Sequence, residues 1–344
     1  MMCLMWLMLM TTKVSVAVAD DYVELSNTMP PSISLTPYLG LLEDASQQLT
    51  LADIQQAPLS TDFKTNRSPN KSINLSFTSS AYWLRLILKN SSDLPIERII
   101  ELNYPLMKNI DFYGSINQKA HQTIHTGYAK PYENRAYKSS IFAFPIQVPA
   151  HSQQLIYLRC ATPNAFFIEA NLWESMAFQK KELNYYAFQA FYFGIVVIIF
   201  LFSLGLAIVT KEANYFIYLV MILFMALTFL SNRGLGAEYI WPNLPWLTQR
   251  GSLIFGSLYL VAQLVFVSRL LNTQQLIPRL DWMLKMLMAV GFIMPGLISF
   301  SFKWAFFVNV MFAVTSAVVA VILLIACLKK QRNAYFLVTV HLSF

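Results

Sequence analysis

The chain has 344 residues, 56% of them apolar and only 12% charged, about half the charged share of an ordinary soluble domain, which excludes a single soluble globule. Residues 20–186 carry 14 Lys and Arg against 15 Asp and Glu, while residues 187–344 carry 10 against 3, so the formal net charge of +7 belongs to the apolar half. Positive charge set among long apolar runs marks loops at a membrane surface and argues against a nucleic-acid face, which needs a solvated basic patch.

Residues 1–19 read as a secretory signal peptide. An eight-residue apolar stretch from Cys3 to Met10 is followed by Thr11, Thr12 and Lys13, then by small residues at Ala17-Val18-Ala19 ahead of Asp20 and Asp21. No Lys or Arg precedes the apolar stretch, and an uncleaved anchor is the alternative. With the leader removed, only Cys160 and Cys327 remain. One lies in the polar half and one deep in an apolar run, so the exported part is expected to fold on its own core without an internal disulfide.

Residues 34–175 are expected to form an extracytoplasmic all-β sandwich of the jelly-roll type. A short helix from Leu51 to about Gln56 precedes it, with Thr50 as cap and Asp53 three residues on. From Ser72 to Glu174 the pattern has period two. In Tyr82 to Lys89, Tyr82, Leu84, Leu86 and Leu88 alternate with Trp83, Arg85, Ile87 and Lys89, which predicts a strand with one buried face. Further strands are expected at 73–77, 99–104, 109–114, 121–126, 141–148, 154–160 and 166–173, separated by turn residues at Asn90-Ser91-Ser92-Asp93, Gly127 and Pro149-Ala150-His151-Ser152.

Catalytic and metal chemistry find little support here. His121 and His125 would lie on one face of a strand about 13 Å apart, too far to share an ion. No serine sits in a nucleophile elbow, and no cofactor is expected. A binding face is the alternative: Trp83, Arg85, Tyr104, Tyr113, Arg135 and Trp173 offer rings that stack on a sugar and guanidinium groups that bond hydroxyls or carboxylates. The bland reading of the same residues is core or rim packing for Trp83 and Tyr104, and a cross-strand partner for Arg85.

Residues 176–186 read as a connector, with Lys180, Lys181 and Glu182 placed to relay a displacement. Residues 187–344 form the membrane part, with helices expected at 187–209, 215–231, 251–270, 282–302 and 304–328, and a partial one at 334–344. With the amino-terminal domain exported, Lys211, Arg269, Arg279, Lys329, Lys330 and Arg332 fall on the inner side, and Arg233, Arg250 and Lys303 on the outer, a bias that agrees with that orientation. No Asp or Glu lies within the five complete spans, which argues against a transporter. The outer loop 232–250 carries Tyr239, Trp241 and Trp246, read either as an interfacial aromatic belt or as a lid on the exported domain. The run from Asn333 to Phe344 would span about 18 Å as helix against roughly 30 Å of hydrocarbon, so the chain is expected to be a fragment or the product of an interrupted gene.

The order of parts carries a resemblance. Ser34-Leu35-Thr36-Pro37-Tyr38-Leu39, Leu42-Glu43-Asp44, Leu49-Thr50-Leu51-Ala52-Asp53-Ile54, Ala81-Tyr82-Trp83-Leu84-Arg85-Leu86-Ile87-Leu88-Lys89-Asn90, Tyr104-Pro105-Leu106 and Ile110-Asp111-Phe112-Tyr113 resemble the type-2 extracellular sensor domain of bacterial seven-transmembrane receptors with diverse intracellular signalling modules. Lys211 to Tyr218 and Gly236 to Pro242 are similar to the membrane region of the same family. The resemblance implies a jelly roll binding a small ligand, with carbohydrate as the supposed class, and seven helices leading to an output module such as a diguanylate cyclase or histidine kinase. No such catalytic module is expected in this chain.

The expected function is therefore a sensory receptor lacking its output. A non-signalling, membrane-anchored ligand-binding or accessory protein is the alternative. The expected partners are a small extracytoplasmic ligand, the bilayer and a second copy in a homodimer, with no nucleic acid. The expected location is the bacterial inner membrane, with the amino-terminal domain in the periplasm.

Overall fold

The structure, a computed structural model, describes residues 22–26, 29–65, 72–116, 119–163 and 165–329. The leader at 1–19 and the partial helix at 334–344 lie outside the described residues.

The first half is two β-sheets packed face to face, with a separate two-stranded ladder of β5 and β12 beside them. Its strands are β1 (Val23–Leu25), β2 (Ser32–Ser34), β3 (Gly40–Asp44), β4 (Lys64–Thr65), β5 (Ile73–Phe77), β6 (Ala81–Asn90), β7 (Ile96–Leu102), β8 (Asn109–Ile116), β9 (Lys119–Thr126), β10 (Phe142–Val148), β11 (Ser152–Ala161), β12 (Ala165–Ile168) and β13 (Ala170–Trp173). The large sheet runs β4-β3-β6-β11-β8-β9, and the smaller one β10-β7-β13-β2. β3 pairs with residues 81–85 of β6, and β1 continues the same edge in parallel along residues 88–90.

Strand β6 shows why the chain folds this way. Leu84, Leu86 and Leu88 are fully buried between the sheets, with Ile156 and Leu158 of β11 and Phe112 of β8 beside them. Phe142, Phe144 and Ile146 of β10 meet them from the other sheet. The rings of Phe112 and Phe144 stack with centroids 4.6 Å apart and planes 10° apart, worth about 1 kcal/mol beyond their area burial. Asn90 ends the strand and is itself buried. Its side-chain amide donates to the carbonyls of Leu94, Val148 and Pro149, while its oxygen accepts from the backbone and hydroxyl of Ser92. One side chain thus closes the turn after β6 and fixes the end of β10.

The run 166–173, expected as one strand, is two. β12 pairs with β5, whereas β13 pairs with β7 and β2. The switch falls at Glu169, whose carbonyl accepts from Asn103. The helix α1 (Leu51–Gln55) has the expected cap: Asp53 N–H donates to the Thr50 hydroxyl at 3.4 Å, and Thr50 N–H to the Asp53 carboxylate at 2.8 Å.

The second half has five helices long and apolar enough to cross a membrane. They are α2 (Ser175–Thr210), α3 (Ala213–Asn232), α5 (Pro245–Leu271), α7 (Pro278–Phe300) and α8 (Ala305–Leu328); α4 (Leu235–Tyr239) and α6 (Thr273–Leu276) are short connecting turns. α3 packs between α2 and α5, and α5 also meets α7 and α8. The segment 176–186, expected as a separate connector, is helical and continuous with the first span, so α2 is 36 residues long.

Candidate functional site

The six residues expected to bind ligand fall in different places. Trp83, Arg85 and Tyr113 share the outer face of the large sheet. Trp83 is fully buried there, in a small second core with Leu42, Ile54, Phe63 and Tyr157 beneath the segment that contains α1. Its ring stacks on Tyr113 at 5.6 Å. Arg85 donates to the carbonyl of Ser60 at 2.8 Å and lies over the Phe63 ring at 4.6 Å. Trp83 is therefore a packing residue, and Arg85 bonds the covering segment where a cross-strand partner was expected.

The strand register extends that face outward from Trp83. Arg159 on β11 stands opposite Trp83, Asp111 on β8 opposite Arg159, and His125 on β9 opposite Asp111. His125 Nδ1 and Asp111 Oδ1 are 2.6 Å apart. Arg159 reaches both Asp111, at 3.7 Å, and the buried carboxylate of Asp44, at 3.5 Å. Tyr113, two residues along β8 from Asp111, is half-exposed beside this charged row.

Tyr104 lies at the rim of the main core, tilted against Phe167 at 6.1 Å. Burial pushes its hydroxyl up to about 12.

Arg135 and Trp173 belong to the contact between sandwich and membrane helices. Arg135 is buried, donates to the carbonyls of Ser139 and Ile141, and lies over the rings of Tyr132 and Phe142 at 4.9 and 4.6 Å. It holds the loop 131–141 in shape and has no free face for a ligand. Trp173 Nε1 donates to Glu101 Oε2 at 2.5 Å. Lys181 closes an ion pair with the other oxygen of Glu101, a fully buried carboxylate on β7, and lies over the Trp173 and Phe178 rings. Phe178 is itself fully buried against Ile99 and Ala143 of the small sheet and Ile141 at the end of the loop before β10.

A second set of contacts joins the loop 131–141 to the outer loop. Ser140 N–H donates to the Tyr186 hydroxyl at 3.1 Å, and that hydroxyl donates to the Glu238 carboxylate at 2.9 Å. Tyr132 N–H donates to the carbonyl of Pro242 at 3.2 Å. Gly234 has φ +73°, and a Cβ there would stand 2.5 Å from the Ser140 carbonyl. Only glycine combines that backbone with that approach. The sandwich therefore rests on both α2 and the outer loop.

Within the connector, Lys181 and Glu182 face this contact and Lys180 faces out. Among the three aromatic residues of the outer loop, Trp241 is buried over Gly236 and beside Phe255, while Tyr239 and Trp246 are exposed. The loop does contact the exported domain, through Gly234, Glu238 and Pro242, with Trp241 folded back on its own loop.

The family described as 7TMR-DISM extracellular 2 matches residues 36–174, and the one described as 7TM diverse intracellular signalling matches residues 185–344. The chain belongs to this seven-transmembrane receptor family. It is a multi-pass membrane protein with an extracellular amino-terminal domain. Both matches are receptor-type domains, and no catalytic domain is found in the receptor chain. No curated protein matches it at a significant level.

Sequence reasoning missed the receptor's main contact residues: Glu101, Ser140, Tyr186, Gly234 and Glu238. Two left a trace. Glu101 is an acid inside an apolar strand run, Ile99-Ile100-Glu101-Leu102, and Gly234 follows a predicted membrane helix where an αL residue commonly ends one.

Proposed function

We propose that this receptor senses a small extracytoplasmic ligand and passes the signal through its helices to an output module carried elsewhere or in a longer form of the protein. The observation that supports this reading most is the double seating of the sandwich. Glu101 is held by Lys181 of α2, and Ser140 lies against Tyr186 and Gly234. A ligand that favours one position of the sandwich over another therefore acts on α2, and couplings of this kind are typically of order 1 to 3 kcal/mol.

In this reading the ligand site is the outer face of the large sheet. Tyr113 supplies a half-exposed ring, flanked by His125, Asp111 and Arg159 as hydrogen-bonding groups, an arrangement that suits a carbohydrate. The strand order supports reading the sandwich as a jelly roll: β2-β13-β7-β10 faces β6-β11-β8-β9, with β1, β3 and β4 added at one edge. The bacterial inner membrane is the proposed location, with the sandwich in the periplasm.

The test is the full chain in nanodiscs, spin-labelled near Thr210 and Leu328 at the inner ends of α2 and α8, titrated with a panel of oligosaccharides. A binding sugar that changes the label distance supports the receptor reading. Saturable binding with no distance change favours the alternative, a membrane-anchored capture protein that does not signal.

A further inference from the structure

The contact between sandwich and helices encloses one carboxylate that its ion pair does not use. Glu182 follows Lys181 on α2, in the turns that precede the uncharged membrane-crossing stretch, and is 7% exposed. From its own helix it faces Lys181, Tyr185 and Tyr186. From the sandwich it faces Glu101, Tyr137 and Ser139. From the outer loop it faces Glu238 and Tyr239, with Arg233 reaching the cluster at Tyr185, and Arg135 at Tyr186 and Glu238. Lys181, the cation beside it on α2, is already bound to Glu101, and Glu238 is bound to Tyr186. Seating the sandwich therefore encloses Glu182 beside two further carboxylates.

We propose that Glu182 makes the seating of the sandwich proton-dependent: the contact is tight when the outside is acidic and Glu182 is neutral, and loosens as the outside becomes alkaline. Removal from water is the largest cause acting on Glu182, and with Glu101 and Glu238 it pushes the carboxyl above its ordinary value, against the smaller lowering by Ser139 and Lys181. Lifted off, Glu182 lies on a solvated helix turn with an ordinary carboxyl. The seated form thus binds the proton more tightly. Its advantage is complete below the ordinary value and is lost as pH rises through the seated one, by tenfold in the seating constant for each unit between them.

This inference rests on the sensory reading for its meaning, but its test does not need a ligand. Hydrogen exchange of segments 130–141 and 233–242 is followed on the full chain in nanodiscs of uncharged lipid from pH 5.5 to 8, corrected for intrinsic exchange. Protection of both segments should fall at least threefold across that range. Glu182→Gln should keep it high and flat, Glu182→Ala should flatten it too, and Glu238→Gln should retain a slope. A flat wild-type profile overturns the proposal, and so does an unchanged slope in a folded Glu182→Gln protein. The wild-type profile decides if both Glu182 variants fail to fold. A flat profile beside an intact ligand response removes the proton dependence alone; an intact profile without any ligand response removes the sensory reading alone.

Discussion

Lys181 and Glu101 lie 80 residues apart in sequence, yet they form an ion pair that ties the first membrane helix to the small sheet of the sandwich. Glu101 is also bonded by Trp173 and Asn171. The carboxylate is therefore anchored from within its own domain and offers its remaining oxygen to α2.

Removing Lys181 leaves Glu101 buried without its counter-charge. Lys181→Ala should destabilise the seated form by about 2 kcal/mol, below the usual loss for a fully buried pair because two neutral donors remain. Glu101→Gln keeps acceptor capacity for those donors and should cost less. A double-mutant cycle in denaturant titrations of the solubilised receptor checks this, since simple additivity would deny the coupling.

Gly234→Ala should separate the outer loop from the sandwich. The new Cβ would stand 2.5 Å from the Ser140 carbonyl on a backbone with φ +73°, at a cost of about 1 to 3 kcal/mol. The expected outcome is faster proteolysis of the outer loop at unchanged helix content by circular dichroism. A proteolysis rate equal to wild type would contradict the contact.

Trp83 and Tyr113 should respond differently to truncation although their rings stack. Trp83→Ala empties the centre of the second core and should cost about 3 to 5 kcal/mol. Tyr113→Ala should cost far less stability but weaken binding of a sugar ligand by tenfold or more. Melting curves and calorimetric titration distinguish the two, and a Tyr113→Ala protein that binds as wild type would move the ligand site elsewhere.

Cys160 should be unreactive in the folded receptor. It is fully buried, and burial pushes its thiol up to about 12, so almost none is thiolate at pH 8. Maleimide labelling followed by peptide mass spectrometry should find it free natively and modified after denaturation. Rapid native labelling would show an opened sandwich.

Periodicity made much of the fold legible and hid the rest for identifiable reasons. The alternation in β6 identified its core face because Leu84, Leu86 and Leu88 all enter the same core between the sheets. The same alternation hid the break at Glu169. Phe166, Ile168, Ala170 and Leu172 are all buried, so the period runs unbroken while the chain changes sheets. Strands β1, β2 and β4 are two or three residues long and owe their conformation to the edges they complete, which leaves no period to read. The aromatic and basic residues singled out for binding divided by burial, which composition does not reveal: Trp83 and Arg135 went inside, and Tyr113 stayed at the surface. The contact between domains was hardest to read, because it joins residues such as Ser140 and Gly234 that are ordinary until the fold brings them together.

The unbroken length of α2 makes it a lever. Residues 175–186 rise roughly 18 Å beside the sandwich, and 187–209 continue for about 35 Å across the bilayer. With the lipid surface as fulcrum, a tilt that shifts the upper arm by a given distance swings the inner tip about twice as far in the opposite direction. Small movements at Glu101 and Lys181 would thus arrive enlarged on the far side, without a hinge in between to absorb them.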